Sequence, residues 1–248
     1  MSLAEEYKRQ FAWRDWGAAL AACPIEPGQK VLDFGCGPGD LSAELVSRGA
    51  QVVGVDSNED LLSIAQKRGL RNCAFLNQDL KSPRLEMNSF DGIWCSFTAA
   101  YFTNFEGVFR SWIPLLRPKS WVCITEIDDL LGHEPMLEHL RAKLDKFYDE
   151  AFTGRGYDFR SGHKISAILK NEGFKIQERL LRDQELAFDG PAIPAVTQAW
   201  SNRFNRMGGL KNFLGDEFED FRSNFLKILE NKDHRSTCRV FCVVGMRP

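Results

Sequence analysis

The residues with the clearest chemical potential stand together near the start of the chain: Asp33-Phe34-Gly35-Cys36-Gly37-Pro38-Gly39. A carboxylate followed by alternating glycines is unusual in a segment that otherwise reads as strand, turn and helix. Glycines at such a turn let the backbone take positive φ and let a ligand approach the main chain closely. The first turn of the helix beyond offers N–H groups with no partner inside the helix. The spacing is D-x-G-x-G-x-G. The dinucleotide fingerprint G-x-G-x-x-G requires a glycine where this chain has Asp40, which disfavours a nucleotide-dependent oxidoreductase.

Further candidates recur at the ends of apolar runs. Asp56 and Ser57 follow Gln51–Val55, Asp79 and Leu80 follow Cys73–Asn77, and Ser96 and Phe97 follow Phe90–Cys95. Glu126, Asp128, Asp129 and His133 lie at or just past the end of Trp121–Thr125. In an open α/β sheet, ligands sit beyond the carboxyl ends of the strands, so all of these positions are candidates. His133, with Asp128 beside it, is the candidate general base, because an imidazole titrates near neutral pH. Each residue also has a structural alternative. Asp56 and Asp128-Asp129 fit helix N-termini, Asp79 fits a turn, and His133 fits the surface. His139 stands on a polar helix and His234 in a charged loop, while His163 follows Tyr157-Asp158-Phe159-Arg160-Ser161-Gly162, a polar and aromatic cluster that fits either a substrate contact or a helix cap.

The elements that must position these residues follow from periodicity. Residues 3–22 read as one amphipathic helix ending before Pro24, with Tyr7, Phe11, Trp13 and Trp16 among its large side chains. Strands at 30–34, 51–56, 73–77, 90–96 and 121–126 alternate with helices at about 40–47, 58–68 and 105–115. Later, 134–151 and 162–172 read as helices, 175–188 holds a sixth strand, and 239–245 is a seventh. This alternation predicts an α/β fold: a doubly wound, Rossmann-like, mostly parallel seven-stranded sheet with helices on both faces. An aromatic-rich helical insertion is expected at 190–232, with Trp200, Phe204, Phe213, Phe218, Phe221 and Phe225 serving as core or as the wall of a ligand site. Segments 1–27 (a helical lid), 28–130 (the ligand-binding core) and 190–232 (the cap) are expected to form a single domain of 248 residues.

On these motifs the chain resembles the class I S-adenosylmethionine-dependent methyltransferases, well over residues 28–130 and loosely elsewhere. The resemblance implies S-adenosylmethionine as cofactor. It implies that Asp33 orients the glycine loop and helps hold the cofactor's amino group, that Gly35, Cys36, Gly37 and Gly39 cradle its carboxylate end, and that Asp56, with Ser57 beside it, takes the ribose hydroxyls. Asp79 would read the adenine amino group, Leu80 would pack on the adenine face, and Ser96-Phe97 would line the methyl end. In related small-molecule enzymes a helix before the core folds over the cofactor, which brings in Tyr7, Trp13 and Arg14. Family members that methylate DNA amino groups carry an Asn/Asp-Pro-Pro-aromatic motif after the fourth strand, where this chain has Ser96-Phe97-Thr98-Ala99.

Composition sets the remaining bounds. With 32 basic and 34 acidic residues the net charge is −2, which gives no hint of a nucleic-acid surface. The seven cysteines are scattered and form no C-x-x-C pair, so they read as buried thiols in a reducing, cytoplasmic compartment with no protein-held metal. Glu5, Glu6, Lys8 and Arg9 interrupt any signal-like apolar run, and no membrane span is expected. The expected function is methyl transfer to an O or N atom of a small-molecule acceptor. A protein or RNA methylase, or a cofactor-binding protein without turnover, is the alternative. The acceptor and the oligomeric state are not encoded in any motif, and a substrate-chelated magnesium stays open.

Overall fold

The computed structural model describes residues 3–248. Residues 1 and 2 of the expected lid segment lie outside the described residues. Among the described residues, the main sheet has seven strands: β1 (Lys30–Phe34), β2 (Gln51–Asp56), β3 (Cys73–Asn77), β4 (Phe90–Ser96), β5 (Leu116–Asp128), β7 (Lys175–Leu180) and β9 (Arg239–Met246). Their order is β3-β2-β1-β4-β5-β9-β7. Neighbours pair in parallel except at β9, which runs antiparallel to both β5 and β7. The order reverses between β1 and β4, where the crossovers leave toward opposite faces and a crevice opens beyond the strand ends.

The two faces are read from neighbouring residues of one strand, because side chains alternate. Val31 and Trp94 join one buried cluster, with Leu41 and Leu45 of α3 (Asp40–Ser47). Leu32, Phe34 and Ile93 join the other, with Phe105, Phe109 and Trp112 of α5 (Phe105–Trp112) and Leu169 of α7 (Ile165–Asn171). Trp112 also donates its indole N–H to the Leu80 carbonyl at 2.7 Å, which fixes the chain after β3. The helix after β2, α4 (Glu59–Lys67), starts at an Asn58 cap whose side chain accepts from Leu61 N.

Three expected elements differ. The single helix over 3–22 is two, α1 (Leu3–Trp13) and α2 (Trp16–Ala22). Asp15 caps α2 by accepting from Ala18 N at 3.0 Å, and Arg14 is drawn away to pair with buried Asp183. The sixth strand stops at Leu180. The chain then turns to meet the α1–α2 junction, where Asp15 N donates to Arg182 O and Gln184 N to Trp13 O. The expected 134–151 helix begins only at Glu138, as α6 (Glu138–Glu150). His133–Glu134 instead forms β6, paired with β8 (Arg235–Ser236).

The late aromatic residues build α8 (Pro194–Arg206), α9 (Gly208–Leu214) and α10 (Phe218–Leu229). Trp200, Phe204, Phe221 and Phe225 pack ring on ring, with Trp200 and Phe225 centroids 4.9 Å apart. Trp200 is fully buried and donates to the Glu185 carbonyl at 2.9 Å. Replacing a buried tryptophan of this kind leaves a large cavity, so Trp200→Ala is expected to cost about 3–5 kcal/mol. Urea denaturation checks this, and a loss below about 1 kcal/mol would mean the layer is loosely packed.

Candidate active site

A cleft of about 720 Å³ opens at the carboxyl ends of the strands. Its floor is the glycine loop. Gly35 N and Cys36 N both donate to Val55 O, at 2.8 and 3.2 Å, which hooks the loop to the end of β2. Gly37 N donates to Asp56 Oδ2 at 2.8 Å, and Asn58 N to Asp56 Oδ1 at 2.8 Å. Gly35 has φ +72, and a Cβ there would lie 2.0 Å from Thr98 Oγ1, so no other residue fits. Gly37 has φ +51, and a Cβ there would meet the Tyr7 ring at 3.9 Å, an ordinary contact distance. At the loop's far end, Arg68 reaches from beyond α4 to the Pro38 carbonyl and the Asp40 carboxylate.

Asp33 is the chemical centre of this floor. It is 2% exposed, lines the cleft, and accepts a hydrogen bond from Ser42 Oγ at 2.6 Å. Burial pushes its carboxyl up to about 7, against the pull of the Ser42 bond. Asp56, Ser57, Asp79, Leu80, Ser96, Phe97, Cys36 and Tyr7 line the same cleft. Asp79 is also a turn residue, accepting from Lys81 N at 2.9 Å, as its structural alternative requires. Phe97 holds φ +53, a conformation rare for an aromatic residue, with its N–H on Thr125 O and the Arg14 guanidinium 4.0 Å from its ring centroid.

Several expected residues lie elsewhere. Gly39 is the left-handed residue before α3, and its α-carbon packs toward Phe75 and Ala65 rather than the cleft. Trp13 does not line the cleft. It packs on the core with the Arg9 guanidinium 5.2 Å from its ring centroid, while Tyr7, Gln10, Phe11 and Arg14 of the same segment face inward. The candidate base His133 is misplaced for catalysis. It is 1% exposed, between the rings of Trp200 and Phe225. His234 Nδ1 lies 2.8 Å from the Gly190 carbonyl and must donate there. His234 Nε2 therefore accepts from His133 Nδ1 at 2.9 Å, which leaves His133 Nε2 buried without a partner. Burial and the neighbouring His234 push His133 down to about 3, so the apolar insertion core keeps the ring neutral. Asp128 is likewise outside the cleft, paired to His163 Nδ1 at 2.6 Å. Asp129 is a structural hub, accepting from Arg141, Tyr148 and Thr237. His139 is exposed on α6.

The rest of the wall comes largely from residues whose roles were not read from the sequence, Tyr157 of the cluster before His163 being the exception. Tyr101 and Phe102 follow β4, Tyr157 precedes α7, and Leu186, Arg203, Arg206 and Met207 come from the late segments. Ion pairs tie this wall to α1: Arg206 with Glu6, Arg9 with Glu185 at 3.5 Å, and Arg203 with Glu185 at 3.1 Å. None of these pairs carries a sequence signal: the first two join segments more than a hundred residues apart, and the third joins α8 to a loop residue 18 positions earlier.

Residues 31–119 match a known family, described as a methyltransferase domain. The chain is 32% identical over 171 residues to a sterol 24-C-methyltransferase of Gibberella zeae, covering 66% of this chain and 43% of that protein. It is 29% identical over 143 residues to a ubiquinone/menaquinone biosynthesis C-methyltransferase of Coxiella burnetii, covering 54% of each. The chain carries a class I S-adenosylmethionine-dependent methyltransferase domain. The fold of this methyltransferase domain is also that of Haemonchus contortus phosphoethanolamine N-methyltransferase 2, solved with phosphomonomethylethanolamine and S-adenosylhomocysteine. There the TM-score is 0.59 at 21% identity, over 94% of this chain and 53% of that one. The chain spans about half the length of the curated relatives it matches.

S-adenosylmethionine is the cofactor of this domain, and the cleft fits it. A nearly buried carboxylate with one hydrogen bond faces the cleft at Asp33, and the glycine loop presents main chain beside it. If Asp56 holds the ribose diol, Asp56→Ala removes charged acceptors and loosens the Gly37 amide. The expected loss of S-adenosylhomocysteine affinity is about 1.5–3 kcal/mol. Calorimetric titration of the folded variant checks this, and an unchanged affinity would remove Asp56 from the site.

Proposed function

We propose that this protein transfers the methyl group of S-adenosylmethionine to an O or N atom of a small-molecule acceptor. The observation that carries this reading is convergence. Residues from the ends of β1, β2 and β4, from the turn after β3 and from α1 line one half-open cleft that Tyr101, Phe102 and Tyr157 also line. When bound, the cofactor supplies an activated methyl group on a sulfonium centre. Asp33 then faces the amino group, Asp56 the ribose hydroxyls, Asp79 and Leu80 the adenine, and Ser96-Phe97 the methyl end. The chain's own contribution is alignment and exclusion of water.

The acceptor would enter between Phe97 and the wall of Tyr101, Tyr157, Arg203 and Met207. Among the described residues, no histidine lines the cleft. Desolvation pushes the hydroxyls of Tyr7 and Tyr157 up, so at neutral pH they donate hydrogen bonds rather than take protons. An amine that attacks through its lone pair suits such a wall better than an alcohol. The concave volume of about 720 Å³ and its aromatic lining suit a small organic acceptor. The sterol and quinone relatives are C-methyltransferases by name, so they support a small organic acceptor and do not bear on the choice of an O or N atom.

The test is formation of S-adenosylhomocysteine from S-adenosylmethionine over a panel of small amines, phenols and carboxylates. Acceptor-dependent product is expected, greatest for an amine. Tight cofactor binding with no product from any small molecule, but methylation of protein or RNA, would overturn the proposal.

A further inference from the structure

Glu126 lies near the end of β5, 1% exposed, and does not itself line the cleft. Both of its oxygens are engaged by the main chain. Oε1 accepts from Ile127 N at 2.8 Å and Oε2 from Ala100 N at 3.1 Å. Ala100 belongs to the single 3₁₀ turn Ala99–Tyr101 that follows β4. The Ala100 carbonyl accepts from Asp158 N at 2.8 Å, so the chain carrying Tyr157 is fixed to the same residue. The consequence stands at the cleft mouth, where the Tyr101 and Tyr157 rings meet nearly perpendicular with centroids 5.0 Å apart.

A buried carboxylate is an expensive way to fill space. An apolar side chain of the same volume would avoid the desolvation cost, and removing one partner of a buried charged hydrogen bond leaves the other unsatisfied. Outside its own strand Glu126 is bonded by the turn after β4, through the amide of Ala100 at 3.1 Å and that of Ala99 beside it. We propose that Glu126 is a positioning residue: through the Ala100 peptide it fixes Tyr101 and Tyr157 as one rigid wall, and so sets the shape of the acceptor end of the cleft. This inference rests on the reading that the acceptor enters on the Tyr101–Tyr157 side. Glu126 is not placed as the reaction's base, because it does not line the cleft and both of its oxygens are taken by main-chain amides.

The chain has four tyrosines, Tyr7, Tyr101, Tyr148 and Tyr157, which makes ring-labelled NMR direct. The experiment compares ¹³C-tyrosine spectra of the full chain loaded with S-adenosylhomocysteine in wild type, Glu126→Gln and Glu126→Asp. The amide keeps only one acceptor oxygen, and the shorter carboxylate cannot reach both amides. In both variants the Tyr101 and Tyr157 signals are expected to shift and their mutual ring contact to weaken, while Tyr148 stays in place. S-adenosylhomocysteine affinity should hold within about a factor of two. With an acceptor in hand, its kcat/KM should fall roughly 10- to 100-fold while the KM for S-adenosylmethionine stays. Unmoved Tyr101 and Tyr157 signals overturn the proposal. So does a shift of all four tyrosines with loss of cofactor binding, or misfolding of both variants, since Glu126 would then serve the fold as a whole. The ring signals decide this even if no acceptor is ever turned over, an outcome that would count against the proposed function alone.

Discussion

A carboxylate held almost dry at the end of β1 is the constraint around which this structure is arranged. Asp33 sits on a strand buried on both faces, and its one short hydrogen bond, from Ser42, offsets only part of the lost hydration. The same holds deeper in the sheet for Glu126, which burial also pushes up to about 7. Both groups bind a proton more readily folded than unfolded. Their contribution to stability is therefore complete below the ordinary carboxylate range and is lost as pH rises through about 7. At neutral pH the fold carries this cost, and a cationic group docked beside Asp33 relieves it. Of the two carboxylates, Asp33 is the one that lines the cleft, where a ligand could supply the missing charge.

The remaining elements serve that geometry. The strand order reverses beside β1, so the glycine loop and the end of β4 face each other across the crevice. Gly35 is crowded against Thr98, which locks these two strand ends together. Beyond the sheet, α1 closes one side, and the buried anions Glu6, Asp183 and Glu185 fasten it to α8 and to the chain after β7. Three segments distant in sequence thus meet over the cleft through charge pairs, while aromatic packing behind them keeps α8 and α10 in place.

Much of this was legible in the sequence because it is local. The alternation of short apolar runs with helical stretches gives the sheet, and D-x-G-x-G-x-G gives the loop. The acidic residues at strand ends reach the cleft because strand ends are where the topology opens it. What was not legible is tertiary. Asp15 splits the first helix only because Asp183 draws Arg14 aside. His133 reads as a base from its place after β5, yet the two-stranded ladder β6–β8 carries it under Trp200 and Phe225, where an imidazole stays neutral. Gly39 and Trp13 sit in the right segments but point away, since only one face of a turn or helix meets a ligand. Arg203 and Arg206 come from a region with no motif and are brought in by packing, whereas Tyr157 belongs to the polar and aromatic cluster before His163 that the sequence offers as a substrate contact.

The most direct test of the account is the pH dependence of S-adenosylhomocysteine binding, measured by calorimetry from pH 6 to pH 8. Below about pH 7 Asp33 is protonated in the free protein, and that proton must leave before the ligand's ammonium can pair with it. Affinity is therefore predicted to fall by up to about tenfold per pH unit below 7, to level off above it, and to be accompanied by proton release. In Asp33→Asn the dependence should vanish and the affinity should be low throughout. Binding that is equally tight across this range in the native protein, with no proton released, would contradict the claim that a buried, ligand-seeking carboxylate organises the site.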